Sequence, residues 1–259
     1  MNQALRKVTI TALVLLFPTA AAVADPPGLK TLPTGSAAPG FRLPGVDGKT
    51  YSLEDFAQAK AKVLVVIFTC NHCPTAQAYE GRIARLDADY RDKGVAVVAI
   101  SPNDPAAVRL DELGYTDLGD SFEEMKIRAK DHHFAYPYLY DGETQATAKA
   151  YGVLATPHMF IFDTGRKLRY AGRFDDGEVK GVKSHDAKNA VDALLAGKPV
   201  PVATTRVPGC STKWADKQAD ARRSLNRWDA EPVSLKPIDL AGVAKLAKND
   251  TKKLLLVNL

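Results

Sequence analysis

Cysteine is scarce in this sequence: the 259 residues include three, at positions 70, 73 and 210. So few cysteines cannot form the framework of disulfides that holds small secreted scaffolds together. The chain is long enough to bury a sizeable apolar core instead. Cys70 and Cys73 are separated by two residues, so one CxxC motif contains two of the three thiols.

The sequence also lacks a long run of charges of one sign. Its 35 Lys and Arg against 30 Asp and Glu give a formal charge of +5, and loss of residues 1–24 with Arg6 and Lys7 leaves 33 against 30, or +3. Because this excess is spread along the chain, it gives no support for binding to nucleic acid or to an anionic membrane.

A membrane-spanning segment is not expected at the N-terminus, because the apolar stretch over residues 8–17 is too short to cross a bilayer. It follows Arg6 and Lys7 and precedes the small-residue pattern Ala22-Val23-Ala24. This order is typical of a secretory signal peptide, with an uncleaved anchor as the alternative. We predict a signal peptide over residues 1–24, no membrane span after cleavage, and a periplasmic or secreted bacterial protein in an oxidising compartment.

The CxxC motif, residues 70–73, follows the apolar run Val63–Phe68 and precedes Pro74. The run is rich in β-branched residues and predicts a buried strand, and apolar residues recur at helical spacing after Pro74. The motif therefore lies where a strand ends and a helix begins. The first N–H groups of a helix stabilise a thiolate, and an exposed thiolate beside a second thiol can carry out thiol–disulfide exchange.

The rest of the chain predicts alternating strands and helices. The order is a β-hairpin around Asp47-Gly48, a βαβ unit that includes the motif, an αβ unit and a ββα unit. Ser121 and Glu124 form a capping-box pattern at the start of one helix, and Gly152 ends another. Residues 102–120 are rich in Pro, Asp and Gly and predict a loop. This alternation indicates an α/β fold.

Several motifs in residues 34–197 resemble those of thioredoxin-fold redoxins of the AhpC/TSA superfamily, in the peroxiredoxin-like branch that carries a CxxC. They are Ala38-Pro39-Gly40-Phe41-x-Leu43, Asp47-Gly48, Phe68-Thr69-Cys70-Asn71-His72-Cys73-Pro74, Tyr151-Gly152-Val153-x-x-Thr156-Pro157, Phe162-Asp163-x-x-Gly165, Gly172-Arg173-x-Asp175-Asp176 and Gly209-Cys210-Ser211-Thr212-Lys213-Trp214. The resemblance implies a thioredoxin-like fold: a central mixed sheet flanked by helices, with an N-terminal β-hairpin and a C-terminal extension. It also implies a cis Thr156–Pro157 bond beside the CxxC and a substrate chain paired with the backbone of Thr156.

The expected activity is that of an exported thiol–disulfide oxidoreductase. We predict that Cys70, at the exposed end of the motif, attacks the substrate and that Cys73 resolves the mixed disulfide. A protonated His72 between them would stabilise the thiolate, although His72 could instead face solvent; Asn71 and Pro74 complete the set of modulating residues.

The expected substrates are disulfide- or thiol-bearing proteins or small thiols, and a redox partner must recycle the motif. No cofactor, metal or nucleic acid is expected. The strand before the motif lacks the carboxylate with which many thioredoxins deprotonate the resolving thiol, which weakens the case for efficient disulfide reduction.

A peroxiredoxin-like peroxidase is the first alternative, with Cys73 as the peroxidatic thiol. Three departures from the peroxiredoxin pattern argue against it. Thr69 is displaced by one position from the usual threonine, Ala76 stands where a glutamate is usual, and Thr156-Pro157 replaces the downstream arginine. The second alternative is a copper-binding or metallochaperone protein, since soft thiolates suit Cu(I). No ligand set beyond the CxxC is visible in the sequence for it.

The end of the chain leaves two questions open. Cys210 follows an extended stretch, residues 198–209, that we expect to fold back over the domain; Cys210 is then buried and inert, paired between chains, or a resolving thiol. Residues 198–232 are an extended segment and linker. Residues 233–259 resemble the start of a second thioredoxin-like domain, which predicts that the natural chain continues; a strand added to the first sheet is the alternative.

Overall fold

The computed structural model describes residues 28–58, 61–114, 116–177, 181–234, 237–248, 250 and 253. The predicted signal peptide and the apolar end of the chain, residues 254–259, lie outside these residues. Within them, no helix is both long and apolar enough to cross a membrane. The elements in chain order are β1 Arg42–Pro44, β2 Thr50–Ser52, α1 Leu53–Gln58, β3 Val63–Phe68, α2 Pro74–Tyr90, β4 Val95–Ser101, α3 Phe122–Asp131, β5 Tyr138–Tyr140, α4 Ala146–Tyr151, β6 Ala155–Thr156, β7 His158–Phe162, β8 Leu168–Gly172, α5 Asp186–Leu195, β9 Cys210–Ser211, α6 Gln218–Ala230 and α7 Leu240–Lys248.

A five-stranded sheet in the order β5-β4-β3-β7-β8 forms the centre of the fold. Strands β3, β4 and β5 run parallel, whereas β7 is antiparallel to both β3 and β8. All six residues of β3 are buried, as expected for a central strand that is covered on both faces. The sheet is mixed and flanked by helices, so the predicted thioredoxin-like fold is confirmed.

Alternate side chains of β3 enter two separate apolar clusters, one on each face of the sheet. Val65 and Ile67 pack on the side of α2 and α5. Phe68 packs on the opposite side, with its ring edge-on to those of Tyr151 and Phe160 at 5.2 and 5.7 Å. The last residue of β3 is therefore fixed in place, and so is the point where the chain leaves the strand toward Cys70.

The hairpin predicted before the CxxC is present, because β1 and β2 pair antiparallel. The segment over residues 102–120 is less irregular than predicted. It contains two 3-10 turns, Pro105–Ala107 and Leu110–Leu113, and the first is stabilised by the Asp104 carboxylate, which accepts a hydrogen bond from the Ala106 N–H at 2.8 Å. Such capping by aspartate explains how a Pro- and Asp-rich segment forms short helical turns.

The capping box predicted for the start of α3 is confirmed. The Ser121 hydroxyl accepts a hydrogen bond from the Glu124 N–H at 3.3 Å, and the Glu124 carboxylate accepts one from the Ser121 N–H at 3.1 Å. The Glu124 carboxylate also accepts the Gly119 N–H at 2.8 Å. These contacts fix residues 119–121 and hence the position of Asp120.

Replacing Ser121 with alanine is expected to lower the free energy of unfolding by about 1 kcal/mol, because the first turn of α3 loses its side-chain acceptor. Urea unfolding of the purified variant measures the change. Ser234→Ala, at an exposed position, is the control and should change stability by less than about 0.5 kcal/mol. Equal effects of the two substitutions would contradict a stabilising capping box.

The segment after α5 folds back over the domain, as predicted. The Ala171 N–H donates to the Ala203 carbonyl at 3.0 Å, and the Thr205 N–H donates to the Ala171 carbonyl at 3.1 Å. Strand β9 then pairs antiparallel with β6. Near the end of the chain, Leu240–Lys248 form the helix α7. The assignment of residues 233–259 to a second domain stays a prediction.

Candidate active site

The CxxC motif lies at the C-terminal end of β3, where the sequence predicted it. The Thr69 N–H donates to the Ile100 carbonyl at 2.9 Å, so the chain still follows β4 as it enters the motif. Cys73 immediately precedes α2, and Pro74 is the first residue of that helix. Proline fits there because the first N–H groups of a helix have no partner within it.

Both thiols of the motif are buried, so the prediction of an exposed Cys70 is wrong. Cys70 is 2% exposed and Cys73 is 0% exposed. Cys70 and Cys73 form a small buried cluster with Ala76, and Cys210 packs against this cluster from β9. The physical reason for the error is that a segment more than 130 residues later in the chain covers the motif.

The Thr156–Pro157 peptide bond is cis, as the resemblance implied. Thr156 contacts both cysteines of the motif. Its Oγ1 lies 3.1 Å from the Cys70 Sγ, and its carbonyl oxygen lies 3.5 Å from the Cys73 Sγ. The structure therefore brings Cys70, Cys73, Thr156 and Pro157 together, although the role of each residue stays a prediction.

Cys210 is the third thiol at this site. It lies directly opposite Thr156 in the β6–β9 pair and packs against the buried cluster of Cys70, Cys73 and Ala76. Cys73 interacts with both of the other thiols, so its sulfur is the central one of the three.

The three thiols differ in acidity. The pKa of Cys73 is lowered because the thiols of Cys210 and Cys70 hydrogen-bond to its sulfur, and these contacts outweigh burial. The pKa of Cys70 is raised, first by burial and then by its hydrogen bond to Cys73 and the negative charge of Asp120. The pKa of Cys210 is raised by its hydrogen bond to Cys73 and by burial. In this arrangement Cys73, not Cys70, is the more acidic thiol of the motif.

Asp120, which the sequence did not single out, anchors the motif from the loop before α3. Its carboxylate is fully buried and accepts the backbone N–H groups of Asn71 and His72 at 2.8 and 3.1 Å. The same carboxylate bonds with the His72 Nδ1 at 2.6 Å and accepts the Asn103 amide at 2.7 Å. Burial opposes ionisation, but the contacts with His72 and Asn103 keep the pKa of Asp120 below its usual value. A buried carboxylate therefore lies beside the motif although β3 itself contains none.

Asn71 and His72 point into the protein, so the alternative of a solvent-facing His72 is wrong. His72 is 1% exposed, and its Nε2 has no hydrogen-bond partner among the residues that the structure describes. Asn71 donates to the Gly119 carbonyl at 2.8 Å and accepts the Tyr138 hydroxyl at 3.1 Å. Both side chains hold the motif against the loop that contains Asp120.

One set of donor atoms could hold a metal ion. A thiol, an imidazole and a carboxylate, from Cys70, His72 and Asp120, place one donor atom each within 4.8 Å of one another. The His72 Nδ1 and the Asp120 Oδ2 are already bonded to each other at 2.6 Å, so an ion that used both atoms would have to break this contact. The copper-binding alternative stays a prediction.

Two further polar side chains near the motif are buried. Glu80, in α2, forms a two-point ion pair with Arg128 at 2.9 and 3.0 Å. His158, in β7, has its ring 4.3 Å from that of Phe160. Burial lowers the pKa of His158 to about 3, which leaves it neutral.

The mixed sheet, the CxxC at the end of its central strand and the cis proline beside it define a thioredoxin-fold redoxin. Residues 34–171 match the AhpC/TSA family, and the chain belongs to this family. Membership indicates oxidoreductase chemistry in general terms. No match is found among curated proteins.

Two solved structures are similar to this chain. One is a hypothetical protein from Sinorhizobium meliloti 1021, with 35% identity, a TM-score of 0.63, and coverage of 72% of this chain and 97% of its own. The other is an uncharacterized conserved protein from Geobacillus kaustophilus, with 40% identity, a TM-score of 0.61, and coverage of 72% and 94%. Neither description names a reaction.

Proposed function

We propose that this chain is an exported thiol–disulfide oxidoreductase that cycles between a Cys70–Cys73 dithiol and a Cys70–Cys73 disulfide. The observation that carries the proposal is that Cys70 and Cys73 share one buried cluster and that Thr156 contacts the sulfur atoms of both. A thiolate hydrogen-bonded to a second thiol is the arrangement that exchange requires. No cofactor takes part, because the two electrons move through sulfur–sulfur bonds.

The proposed reduction of a substrate takes two steps. The Cys70 thiolate attacks one sulfur of a substrate disulfide, forms a mixed disulfide and releases the other substrate sulfur as a thiolate. The Cys73 thiolate then attacks Cys70, closes the Cys70–Cys73 bond and releases the second substrate sulfur. Reversal of both steps oxidises a substrate dithiol, and a separate redox partner restores the starting state.

Attack by Cys70 requires that a proton pass from Cys70 to Cys73, so that Cys70 becomes the thiolate. The main cause of the low pKa of Cys73 is its hydrogen bond with Cys210, and the main cause of the high pKa of Cys70 is burial. Displacement of β9 by a substrate removes the first contact and uncovers Cys70. The proton shared by the two motif thiols can then pass to Cys73. The same displacement frees the backbone of Thr156, the proposed pairing site for an extended substrate.

Trapping of mixed disulfides tests the order of attack. With Cys210→Ser in every variant, Cys73→Ser is expected to accumulate mixed disulfides with glutathione or insulin through Cys70, whereas Cys70→Ser accumulates none. Mass spectrometry after blocking free thiols identifies the bonded residue. The wild-type motif, which resolves the intermediate, should yield less mixed disulfide than Cys73→Ser.

A peroxidase reaction at Cys73 is the second candidate, and the lowered pKa of Cys73 favours it. In that reaction Cys73 would attack hydrogen peroxide and become a sulfenate. The two candidates differ in their need for Cys70. If the Cys70→Ser protein consumed peroxide and formed a sulfenate on Cys73, the peroxidase would replace thiol–disulfide exchange as the function.

A further inference from the structure

The segment over residues 203–214, here called the strap, crosses the candidate site and is anchored on both sides of it. On the side of β8, the Thr205 hydroxyl lies 2.8 Å from the Tyr170 hydroxyl and accepts the Arg173 N–H at 2.9 Å. Together with the backbone bonds at Ala171, these contacts fix the start of the strap. The strap is therefore part of the folded domain before it reaches the cysteines.

On the other side of the site, Lys213 anchors the strap. Its N–H donates to the Asn103 side chain at 2.8 Å, and its carbonyl accepts the Asp104 N–H at 2.9 Å and the Gln145 amide at 2.8 Å. Its ammonium pairs with Glu112 at 2.5 Å. Asn103 also bonds to Asp120, so the strap and the CxxC loop share one buried polar network.

Gly209 lets the strap approach the site closely. Its φ of +115° is unfavourable for residues with a side chain, and a Cβ at this position would lie 2.0 Å from the Thr156 carbonyl oxygen. The next residue, Cys210, faces Thr156 across the β6–β9 pair and packs against the buried cysteine cluster. The backbone thus delivers a thiol to the sulfur of Cys73.

We propose that Cys210 is a third redox-active cysteine, which accepts the disulfide of the motif by forming a Cys73–Cys210 bond. The proposal rests on the proposed Cys70–Cys73 chemistry and extends it. An inert buried cysteine would not need a glycine beside it, strand pairing with Thr156 and a position against the central sulfur. The strap then acts as a tethered internal substrate that competes with external substrates for pairing with the backbone of Thr156 in β6.

The exchange is balanced within the chain. The Cys210 thiol loses its proton, and its sulfur attacks the Cys73 sulfur of the Cys70–Cys73 disulfide. The Cys73–Cys210 bond forms, the Cys70–Cys73 bond breaks, and Cys70 leaves as a thiolate that takes up one proton. One disulfide replaces another, so no external oxidant or reductant is needed.

Three variants, each with one of the three cysteines replaced by serine, separate this proposal from the proposed function. Each protein is oxidised with diamide, its free thiols are blocked, and its disulfides are mapped by mass spectrometry. Cys70→Ser is expected to form an intramolecular Cys73–Cys210 bond, and the wild type should yield this bond as well as Cys70–Cys73. Cys73→Ser is the matched control and should keep Cys70 and Cys210 reduced, because Cys73 is the sulfur that both contact.

The outcomes are distinguishable. If Cys70→Ser kept Cys73 and Cys210 reduced while Cys210→Ser formed Cys70–Cys73, the third redox cysteine would be refuted and the proposed function would stand. If Cys210→Ser failed to form Cys70–Cys73, the proposed function would be refuted. A Cys73–Cys210 bond in Cys70→Ser would then be a redox couple by itself, and transfer of a disulfide from Cys70–Cys73 to Cys210 would be refuted too.

A strap variant provides a kinetic measurement. In a Cys70→Ser background, Gly209→Ala is expected to slow formation of the Cys73–Cys210 bond about tenfold, because the added Cβ would clash with the Thr156 carbonyl oxygen and push the strap away from Cys73. Gly209→Ala with Cys70 intact should still form Cys70–Cys73, which verifies that the protein folds. An unchanged rate of Cys73–Cys210 formation would contradict delivery of Cys210 by the close approach at Gly209.

Discussion

Replacement of Asp120 with alanine is expected to lower the free energy of unfolding by about 3 to 5 kcal/mol. The buried carboxylate accepts hydrogen bonds from two N–H groups of the CxxC loop and from Asn103, and it is bonded to His72. Its removal leaves these buried groups without their partner, and such groups are costly to leave unpaired. Urea or guanidinium unfolding at pH 7 measures the loss.

Asp131→Ala, at an exposed position in α3, is the matched control and should change stability by less than about 0.5 kcal/mol. A loss at Asp120 no larger than at Asp131 would show that the carboxylate does not hold the motif.

The contribution of Asp120 should also depend on pH. Its pKa in the folded protein is below the usual value of 3.8, so the stability it provides is fully present above that value. This stability is lost as the pH falls through the folded pKa, because the carboxylate must then bind a proton. Asp120→Asn cannot ionise, and the difference in unfolding free energy between the wild type and this variant should therefore narrow below pH 4. A constant difference down to pH 2.5 would contradict an ionised Asp120.

Gly152→Ala is expected to destabilise the protein by about 2 to 5 kcal/mol. Gly152 ends α4 with a φ of +65°, and the left-handed conformation costs an L-residue about 1 to 2 kcal/mol. An added Cβ would also lie 2.0 Å from the Lys30 carbonyl oxygen, and overpacking of this kind typically costs about 1 to 3 kcal/mol. The N-terminal segment would have to move, which breaks the 3.0 Å bond from the Leu32 N–H to the Tyr151 carbonyl.

Gly35→Ala separates the two causes. Gly35 has a similar φ of +88°, but no atom lies within 4 Å of the position that a Cβ would take. Gly35→Ala should therefore lower the free energy of unfolding only by the conformational cost of about 1 to 2 kcal/mol. Thermal or urea unfolding of both variants gives the comparison. Equal losses would mean that the contact with residues 30–32 does not restrict Gly152.

Local patterns were sufficient for most of the fold. The continuous apolar run of β3 identifies a strand covered on both faces, and the capping box of Ser121 and Glu124 marks the start of α3. These signals are readable because they depend on neighbouring residues and on the periods of strands and helices. The glycine that ends α4 belongs to the same group. The resemblance of Thr156-Pro157 to a family motif supplied the cis bond.

The acidity of the cysteines could not be read in this way. A CxxC before a helix predicts an exposed, acidic first thiol, whereas Cys70 is buried and Cys73 has the lowered pKa. The local sequence pattern predicted correctly that the motif lies between β3 and α2. Burial is the main cause of the raised pKa of Cys70, and the hydrogen bond with Cys210 is the main cause of the lowered pKa of Cys73. Neither cause can be derived from the motif's own strand and helix.

The sequence by itself determined the α/β architecture and the position of the CxxC at the end of β3. Its Thr156-Pro157 motif also predicted the cis peptide bond. Only the tertiary structure decided that Asp120, 48 residues beyond His72, places a buried carboxylate beside the motif. It likewise decided that the strap brings Cys210 against Cys73 and covers Cys70. The physical reason is that burial and hydrogen bonding set the acidity of a thiol, and both depend on which distant segments the fold packs around it.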